Sequence, residues 1–333
     1  MVKTDLFLKL NKSARDIAFD NLKSIAIFLV VLGHFFEIIN YPITQVLYKI
    51  IYTFHIPLFV FLSGYFAKFN FKKIFLKLIL PYLIIQTIWA VATFFATNQT
   101  QDFFTLLFTP QWYMWYMFSL IVWRLSVPLL KKAKNFLPSI FTLAIAISLA
   151  IPLLNFDGYI FSFIRTLSFY PFFILGFYFS VNKINPSKII TNELYKIGVC
   201  VLFLAMIGGF FLLFPNAPAQ VLYQSYTYSQ LSNYDLITKL YIYAVGFVGV
   251  IFIVNSVGSK NTLLSKVGSK TLEIFLLHGV YLIILKKLLR TSVFHLPLTT
   301  SLIVAATDVL LCILIAFIGK KIIQPKTKIK SLG

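Results

Sequence analysis

Ten separate stretches of mostly apolar residues constrain the fold of this chain more than any other feature. A helix of about 20 apolar residues crosses the hydrocarbon core of a bilayer. Runs such as 24–36 and 78–95 are apolar on every face, whereas strands of a membrane barrel alternate with a period of two. We therefore predict an all-α polytopic membrane protein with about ten transmembrane helices. Their expected ranges are 22–41, 45–67, 74–96, 111–130, 136–154, 161–181, 196–214, 237–257, 271–289 and 298–319.

The charged residues are few and unevenly placed. They make up 12% of the chain, about half of the fraction that a water-exposed surface requires. The net charge of +20 would suggest a nucleic acid partner in a soluble protein. If the N-terminus is cytoplasmic, however, 23 of the 30 Lys and Arg residues fall in cytoplasmic segments, as the positive-inside rule describes. The pattern therefore predicts two cytoplasmic termini and no nucleic acid partner.

The expected organisation follows from these spans. Residues 1–21 form a cytoplasmic segment without a removable signal peptide, 22–319 a single membrane domain, and 320–333 a basic cytoplasmic tail. Cys200 and Cys312 lie inside apolar runs and predict neither a disulfide framework nor a metal site. Lys outnumbers Arg by 26 to 4, which is typical of AT-rich bacterial genomes. We expect a multi-pass protein of a bacterial cytoplasmic membrane with no permanently bound cofactor.

Ionisable residues inside membrane spans are costly and therefore mark candidate functional positions. In the first span, Lys23 lies at the cytoplasmic edge and His34 lies eleven residues deeper. Eleven residues are about three helical turns and about 16 Å, so both side chains project from one face. Glu37 follows His34 by three residues and shares that face.

This spacing suits coenzyme A, whose phosphates and reactive thioester are separated by an extended arm of comparable length. Lys23 would bind the phosphates, and His34 would act as general base on a hydroxyl near neutral pH. Glu37 would orient the imidazole ring. The alternative is a histidine that only packs between helices and makes one hydrogen bond.

Other spans add ionisable groups at related depths. His55 and Asp308 are expected at about 20 and 18 Å from the cytoplasmic edge, close to the depth of His34. Arg124 and His278 are expected at about 10 to 12 Å and would line a path from the phosphate site to the deeper centre. Ser63 is a weaker candidate, because small residues in membrane helices usually serve packing.

Two segments predicted to face outward leave alternatives open. Lys286, Lys287 and Arg290 form either a binding surface for an acidic glycan or lipid phosphate, or a snorkelling helix end. Tyr226 and Tyr228 lie in a segment rich in tyrosine, amide and hydroxyl residues. They would either contact a sugar ring or belong to an interfacial aromatic belt.

Five ordered blocks resemble the acyltransferase-3 family of integral membrane O-acyltransferases, and in particular its fucose 4-O-acetylase-like branch. The first block is a basic residue, Lys23, followed by ten residues and then His34. The other four are FHIPLFVFLSGY at 54–65, WYMWYMFSLIVWR at 112–124, RTLSFYPFFILGFYF at 165–179 and LEIFLLHG at 272–279. The resemblance covers nearly the whole chain.

The resemblance implies transfer of an acyl group, usually acetyl, from acyl-CoA to a hydroxyl of a cell-surface carbohydrate or its lipid-linked precursor. His34 would be the catalytic base and Lys23 its basic partner. Arg124, Arg165 and His278 would be polar positions of the site. The chain departs from the better-known branch in having Lys rather than Arg at 23 and FHIP where others carry an aspartate. It also lacks the fused extracytoplasmic hydrolase-like domain of that branch.

A polysaccharide exporter or a flippase for a lipid-linked glycan is the competing prediction. Ten helices with buried ionisable residues would serve a transporter equally well. Transporters often contain inverted repeats with paired broken helices, and the sequence shows no such repeat. The balance therefore favours the acyltransferase without excluding transport.

Overall fold

The computed structural model describes residues 2–289 except 38–40, 97–101, 155–156, 259 and 261–262, together with 299, 306–307, 310 and 313–314. For residues 2–16, 263–264 and 283–289 only the backbone is described. Throughout these ranges the secondary structure is helical, with no strand. The prediction of an all-α chain is therefore confirmed for the described residues.

Twelve α-helices are described; α1 begins 20 residues before the predicted span 22–41, and the short helices α5 and α11 match no predicted span. Nine of the ten predicted spans coincide with a helix, whereas the tenth, 298–319, lies mostly outside the described residues. A π-helical turn, Phe75–Ile79, joins α3 to α4 into one helical rod. The helices are α1 (Val2–Glu37), α2 (Pro42–Tyr65), α3 (Phe71–Ile74), α4 (Leu80–Ala96), α5 (Phe103–Phe108), α6 (Met114–Lys132), α7 (Leu137–Ala150), α8 (Phe163–Val181), α9 (Glu193–Leu213), α10 (Leu236–Ser256), α11 (Leu263–Gly268) and α12 (Thr271–Leu289).

Seven segments of the described chain are long and apolar enough to cross a membrane. The helix α6 is not among them, since Arg124, Lys131 and Lys132 lower the mean hydropathy of its 19 residues. The protein is thus a polytopic membrane protein, while the count of ten spans and the position of the termini stay predictions. The seven segments are Ile17–Glu37, Pro42–Tyr65, Phe71–Ala96, Lys134–Leu153, Ile160–Val181, Glu193–Leu213 and Leu236–Ser256.

The chain divides into two compact units. The first unit comprises residues 1–51 and 257–333, and in it α1 packs against α11 and α12. The second unit comprises residues 52–256, and its closest helix pairs are α7 with α8 and α9 with α10. Each unit therefore contains one of the two groups of polar residues that are described below.

Two glycines allow α2 and α8 to approach closely in the second unit. A Cβ atom on Gly64 would overlap the carbonyl oxygen of Phe173, and one on Gly176 would overlap that of Phe61. In lipid no hydrophobic force drives helices together, so the close van der Waals packing that small residues allow stabilises such crossings. Phe173 is fully buried at this crossing, whereas Leu212 on α9 is 82% exposed and suits contact with lipid.

Hydrogen bonds made by side chains hold the interior helices together. The hydroxyls of Ser119 on α6 and Thr166 on α8 lie 2.7 Å apart, and Trp123 Nε1 donates to the Thr166 carbonyl at 3.0 Å. The Gln86 amide on α4 donates to the carbonyls of Leu106 and Thr109 at 2.9 and 2.8 Å. Backbone groups that water does not reach must find hydrogen-bond partners within the protein. Gln86 provides such a donor for the carbonyls at the end of α5.

We predict that Gly176→Ala destabilises the protein by about 1–3 kcal/mol, because the added methyl group meets backbone that cannot move independently. The matched control is Gly198→Ala on α9, where a Cβ atom has open space. This change should be neutral or stabilising by up to about 1 kcal/mol, since alanine favours helix. Thermal unfolding in detergent compares the two variants. Equal unfolding temperatures would contradict the close crossing of α2 and α8.

Candidate active site

Two buried histidines meet inside the first unit. His34 lies one turn from the end of α1, and His278 lies in the middle of α12. His34 Nδ1 is 3.0 Å from His278 Nε2, and the two rings stack with their planes 15° apart. His278 is fully buried and His34 is 7% exposed. The pair therefore joins two helices whose residues are 244 positions apart in sequence.

The second nitrogen of His278 fixes how protons are arranged in this pair. His278 Nδ1 lies 3.2 Å from the carbonyl oxygen of Ile274, one turn earlier on α12. A carbonyl oxygen only accepts, so Nδ1 carries the proton and donates it. With both rings neutral, His278 Nε2 must then accept a hydrogen bond from the Nδ1–H of His34. His34 Nε2 is left with a lone pair, as a general base requires.

Lys23 lies on the same continuous helix as His34, as the sequence predicts. Its ammonium pairs with the Asp20 carboxylate at 3.1 Å, and both side chains are partly exposed. Next to this pair, the buried Asn21 amide donates to the carbonyls of Gly258 and Lys260 at 2.9 and 3.0 Å. These bonds hold Gly258 and Lys260 against the α1 turn that carries Lys23.

The remaining predicted residues of the first unit are only partly described. Glu37 is the last residue of α1 and is half-buried. The structure pairs His34 Nδ1 with His278 Nε2, which accepts its hydrogen bond. Asp308 and Arg290 lie outside the described residues, as do the side chains of Lys286 and Lys287. The convergence of His34, His55 and Asp308 at one depth stays a prediction.

In the second unit, Ser63 and Arg124 both interact with Tyr116. The Ser63 hydroxyl on α2 is 2.7 Å from the Tyr116 hydroxyl on α6. Arg124 lies two turns further along α6, close enough for electrostatic interaction with Tyr116. Its Nε atom is buried and has no hydrogen-bond partner among the described residues. Arg124 thus keeps an unused donor within the helix bundle.

Arg165 lies in the first turn of α8 and is surrounded by aromatic rings. Its Cζ atom is 5.1, 5.4 and 5.7 Å from the ring centroids of Trp115, Tyr159 and Tyr223. Its Nη2 atom donates to the Ser225 hydroxyl at 3.2 Å. We call these five residues the Arg165 cage. The sequence singles out Arg165, but not the rings around it.

The two loop tyrosines predicted to contact the acceptor differ in their surroundings. Tyr226 packs edge-on against Tyr159 of the Arg165 cage, with ring centroids 5.5 Å apart. Tyr228 donates its hydroxyl hydrogen to the Leu149 carbonyl at 2.9 Å and so anchors the loop to the end of α7. Burial raises the pKa of Tyr226 above its usual range, and burial together with the Asp235 carboxylate raises the pKa of Tyr228 to about 12. Both phenols are therefore neutral at physiological pH.

His55 on α2 is fully buried and packs against Tyr52, with ring centroids 4.6 Å apart. Tyr52 in turn contacts Tyr223 of the Arg165 cage at 5.6 Å. The structure thus connects His55 to the cage through one ring. Among the described residues, no group of three His, Cys, Asp or Glu side chains is arranged to hold a metal ion.

Several polar residues of these sites are not recognisable from sequence alone. Asn21 looks like one of many helix-edge amides, and Trp115 and Tyr223 look like interfacial aromatics. Asn21 stands two positions before Lys23, and Trp115 lies inside one of the resembling blocks. These are the local signals that point to them. The contacts between His278 and His34 and between Tyr223 and Arg165 connect distant parts of the sequence, and the sequence contains no signal for either.

Comparison with known proteins identifies the family of the chain. The family model described as "Acyltransferase domain" (acyltransferase-3) matches residues 16–317. Nodulation protein NolL of Sinorhizobium fredii is 32% identical over 191 residues, which cover 50% of this chain and 49% of that protein. NolL of Mesorhizobium japonicum is 30% identical over 191 residues, covering 50% and 48%.

The aligned region thus spans about half the length of these curated relatives. No solved structure shows significant similarity to the chain. The family match, in contrast, extends over most of the sequence and includes both histidines of the buried pair. The chain therefore belongs to the acyltransferase-3 family.

Proposed function

We propose that this protein is a membrane O-acyltransferase that moves an acyl group, expected to be acetyl, from acyl-CoA to a hydroxyl of a carbohydrate. The observation that supports this most directly is the hydrogen bond between His34 and His278. His34 lies on the same helix as Lys23. Family membership supports the same reaction class. A bacterial cytoplasmic membrane is the proposed location, and a cell-surface or lipid-linked carbohydrate is the proposed acceptor.

The reaction follows from the proton arrangement of the histidine pair. His34 Nε2 removes the proton from the acceptor hydroxyl, whose oxygen attacks the thioester carbonyl carbon. The new C–O bond forms and the C–S bond breaks. The departing coenzyme A thiolate takes the proton from the His34 imidazolium, so the base is regenerated. His278 holds His34 in the productive tautomer and orientation, as the third member of a catalytic triad does.

The two ends of the donor are assigned to Lys23 and His34, the two ends of one stretch of α1. Lys23 binds the phosphates of coenzyme A, and His34 lies about 16 Å deeper on the same helix face. Asp20 holds the Lys23 ammonium at 3.1 Å and so keeps this long side chain near the helix. The lining of the donor path by Arg124, His55 and Asp308 stays a prediction from the sequence, and Glu37 is proposed to stabilise the charged imidazolium.

Replacement of His34 should abolish transfer. In purified protein supplied with radiolabelled acetyl-CoA and extracted glycan, His34→Ala should lower kcat by about 10²–10⁴-fold, the contribution of a general base. Donor KM should change little. Elution as a folded monodisperse species controls for stability. Glycan transport without acyl transfer by the wild-type protein would instead favour the exporter function.

His278 is proposed as a positioning residue, which can be separated from a purely structural role. His278→Leu removes the acceptor for His34 Nδ1–H and should lower kcat by about a hundredfold. His278→Gln offers an amide oxygen near the position of Nε2 and should recover a substantial part of that loss. If both variants are equally inactive while equally stable, His278 does not act by orienting His34.

Lys23→Ala should raise the KM for acetyl-CoA about tenfold or more, because a charge-assisted contact to phosphate is lost. Its effect on kcat should be small. The control is Lys196→Ala, since Lys196 makes the same i,i+3 pair with Glu193 at 2.8 Å on exposed α9. Steady-state kinetics compare the two. Equal increases in KM, or a loss of kcat at unchanged KM, would contradict donor binding by Lys23.

A further inference from the structure

Arg165 carries a positive charge that no described residue neutralises. Within the described part of the chain it makes no ion pair with a carboxylate, and its hydrogen bond there is to the Ser225 hydroxyl. Its Nε atom is buried and has no hydrogen-bond partner among the described residues. A buried charged donor without a partner is costly. Such a group is retained where a ligand supplies the missing acceptor.

The rings of the Arg165 cage leave the edge of the guanidinium available. Trp115, Tyr159 and Tyr223 interact with the cation at 5.1 to 5.7 Å from their centroids. Cation–π contacts stabilise the charge, but they accept no N–H hydrogen bond of ordinary geometry. The free donors of arginine form a planar fork that matches the two oxygens of a carboxylate or phosphate. The cage therefore holds the cation in place and leaves its anion-binding edge unused.

Another buried cation of this unit, Lys239, provides a contrast. Lys239 on α10 is fully buried, and its ammonium donates to the Ser168 hydroxyl at 2.9 Å. Its second contact is the ring of Tyr243, at 5.7 Å. The Lys239 nitrogen thus has a polar partner and a single ring, whereas Arg165 has three rings and an unused donor. Among the described residues, only Arg165 combines an enclosing set of rings with an unpartnered nitrogen.

The surroundings also suit a sugar. Tyr159, Tyr223 and Tyr226 are half-buried and present ring faces and hydroxyls beside the cation. Aromatic rings pack against the C–H faces of sugars while their hydroxyls form hydrogen bonds. A neutral sugar would use the rings but would leave Arg165 Nε unpaired. The combination favours a sugar that carries an anionic oxygen group.

We propose that the Arg165 cage binds an anionic group, a carboxylate or a phosphate, of the carbohydrate acceptor. This proposal rests on the proposed acyltransferase function and names the acceptor class. Arg165 donates hydrogen bonds from its edge to two oxygens of the anion, and Tyr226 contacts the adjoining sugar ring. The site therefore selects acidic or phosphate-linked carbohydrates over neutral ones.

Binding to the purified full chain, without acyl-CoA, tests the proposal directly. The probes are glucuronic acid, glucose 1-phosphate and glucose at constant ionic strength, followed by tryptophan fluorescence and by thermal stabilisation. At least one anionic sugar should bind about tenfold or more tightly than glucose. The tighter anion identifies carboxylate or phosphate as the group recognised. Equal binding of all three probes would overturn the proposal.

Variants locate the binding at Arg165. Arg165→Lys keeps the charge but loses the planar fork, and should weaken binding of the preferred anion about tenfold. Ser225→Ala, a milder change, should weaken it about two- to fivefold, because Nη2 loses the partner that orients it. Lys239→Met removes a buried charge of the same unit and should leave binding within about twofold. Unchanged binding in Arg165→Lys, or an equal loss in Lys239→Met, would contradict the assignment.

The same variants separate this inference from the proposed function. His34→Ala should bind the anionic sugar normally while failing to acylate it. Anion binding without any acyl transfer in the wild-type protein would overturn the proposed function alone. Acyl transfer that proceeds equally well on neutral and anionic sugars would overturn the Arg165 inference alone.

Discussion

The hydrogen bond between His34 and His278 is the interaction on which the candidate active site depends. It spans 3.0 Å between two rings in the interior of the first unit and joins the first helix of the chain to α12. Because Ile274 accepts the other proton of His278, the pair has a defined direction. That direction leaves the lone pair on His34 Nε2. Without it, a histidine at this depth would be an ordinary packing residue.

Satisfied and unsatisfied polar groups mark different functions in this protein. Ser119 with Thr166, and Gln86 with the carbonyls of α5, are closed contacts that hold helices together. Polar groups of this kind are needed where lipid offers no hydrogen-bond partner. Arg165 and Arg124, in contrast, each retain a buried Nε atom with no partner among the described residues. These open donors fit ligand binding rather than architecture.

Much of the fold is predictable from sequence because lipid imposes a single requirement on every span. The predicted stretches 45–67 and 237–257 correspond to α2 and α10 within three residues at each end. The Lys23–His34 spacing is also local, because both residues lie on one helix. The rest depends on contacts between distant segments. Neither periodicity nor hydropathy pairs His278 with His34, which are 244 positions apart, or encloses Arg165 in rings from three different segments.

The most direct test of the account is mass spectrometry of surface glycans from cells that lack this protein and are complemented with defined variants. Wild-type protein should restore one acyl mass per modified sugar, whereas His34→Gln should not, although it reaches the membrane in equal amount. This result would assign acyl transfer to the buried histidine pair. Restoration of the acyl mass by His34→Gln, or no acyl difference between cells with and without the wild-type protein, would contradict it.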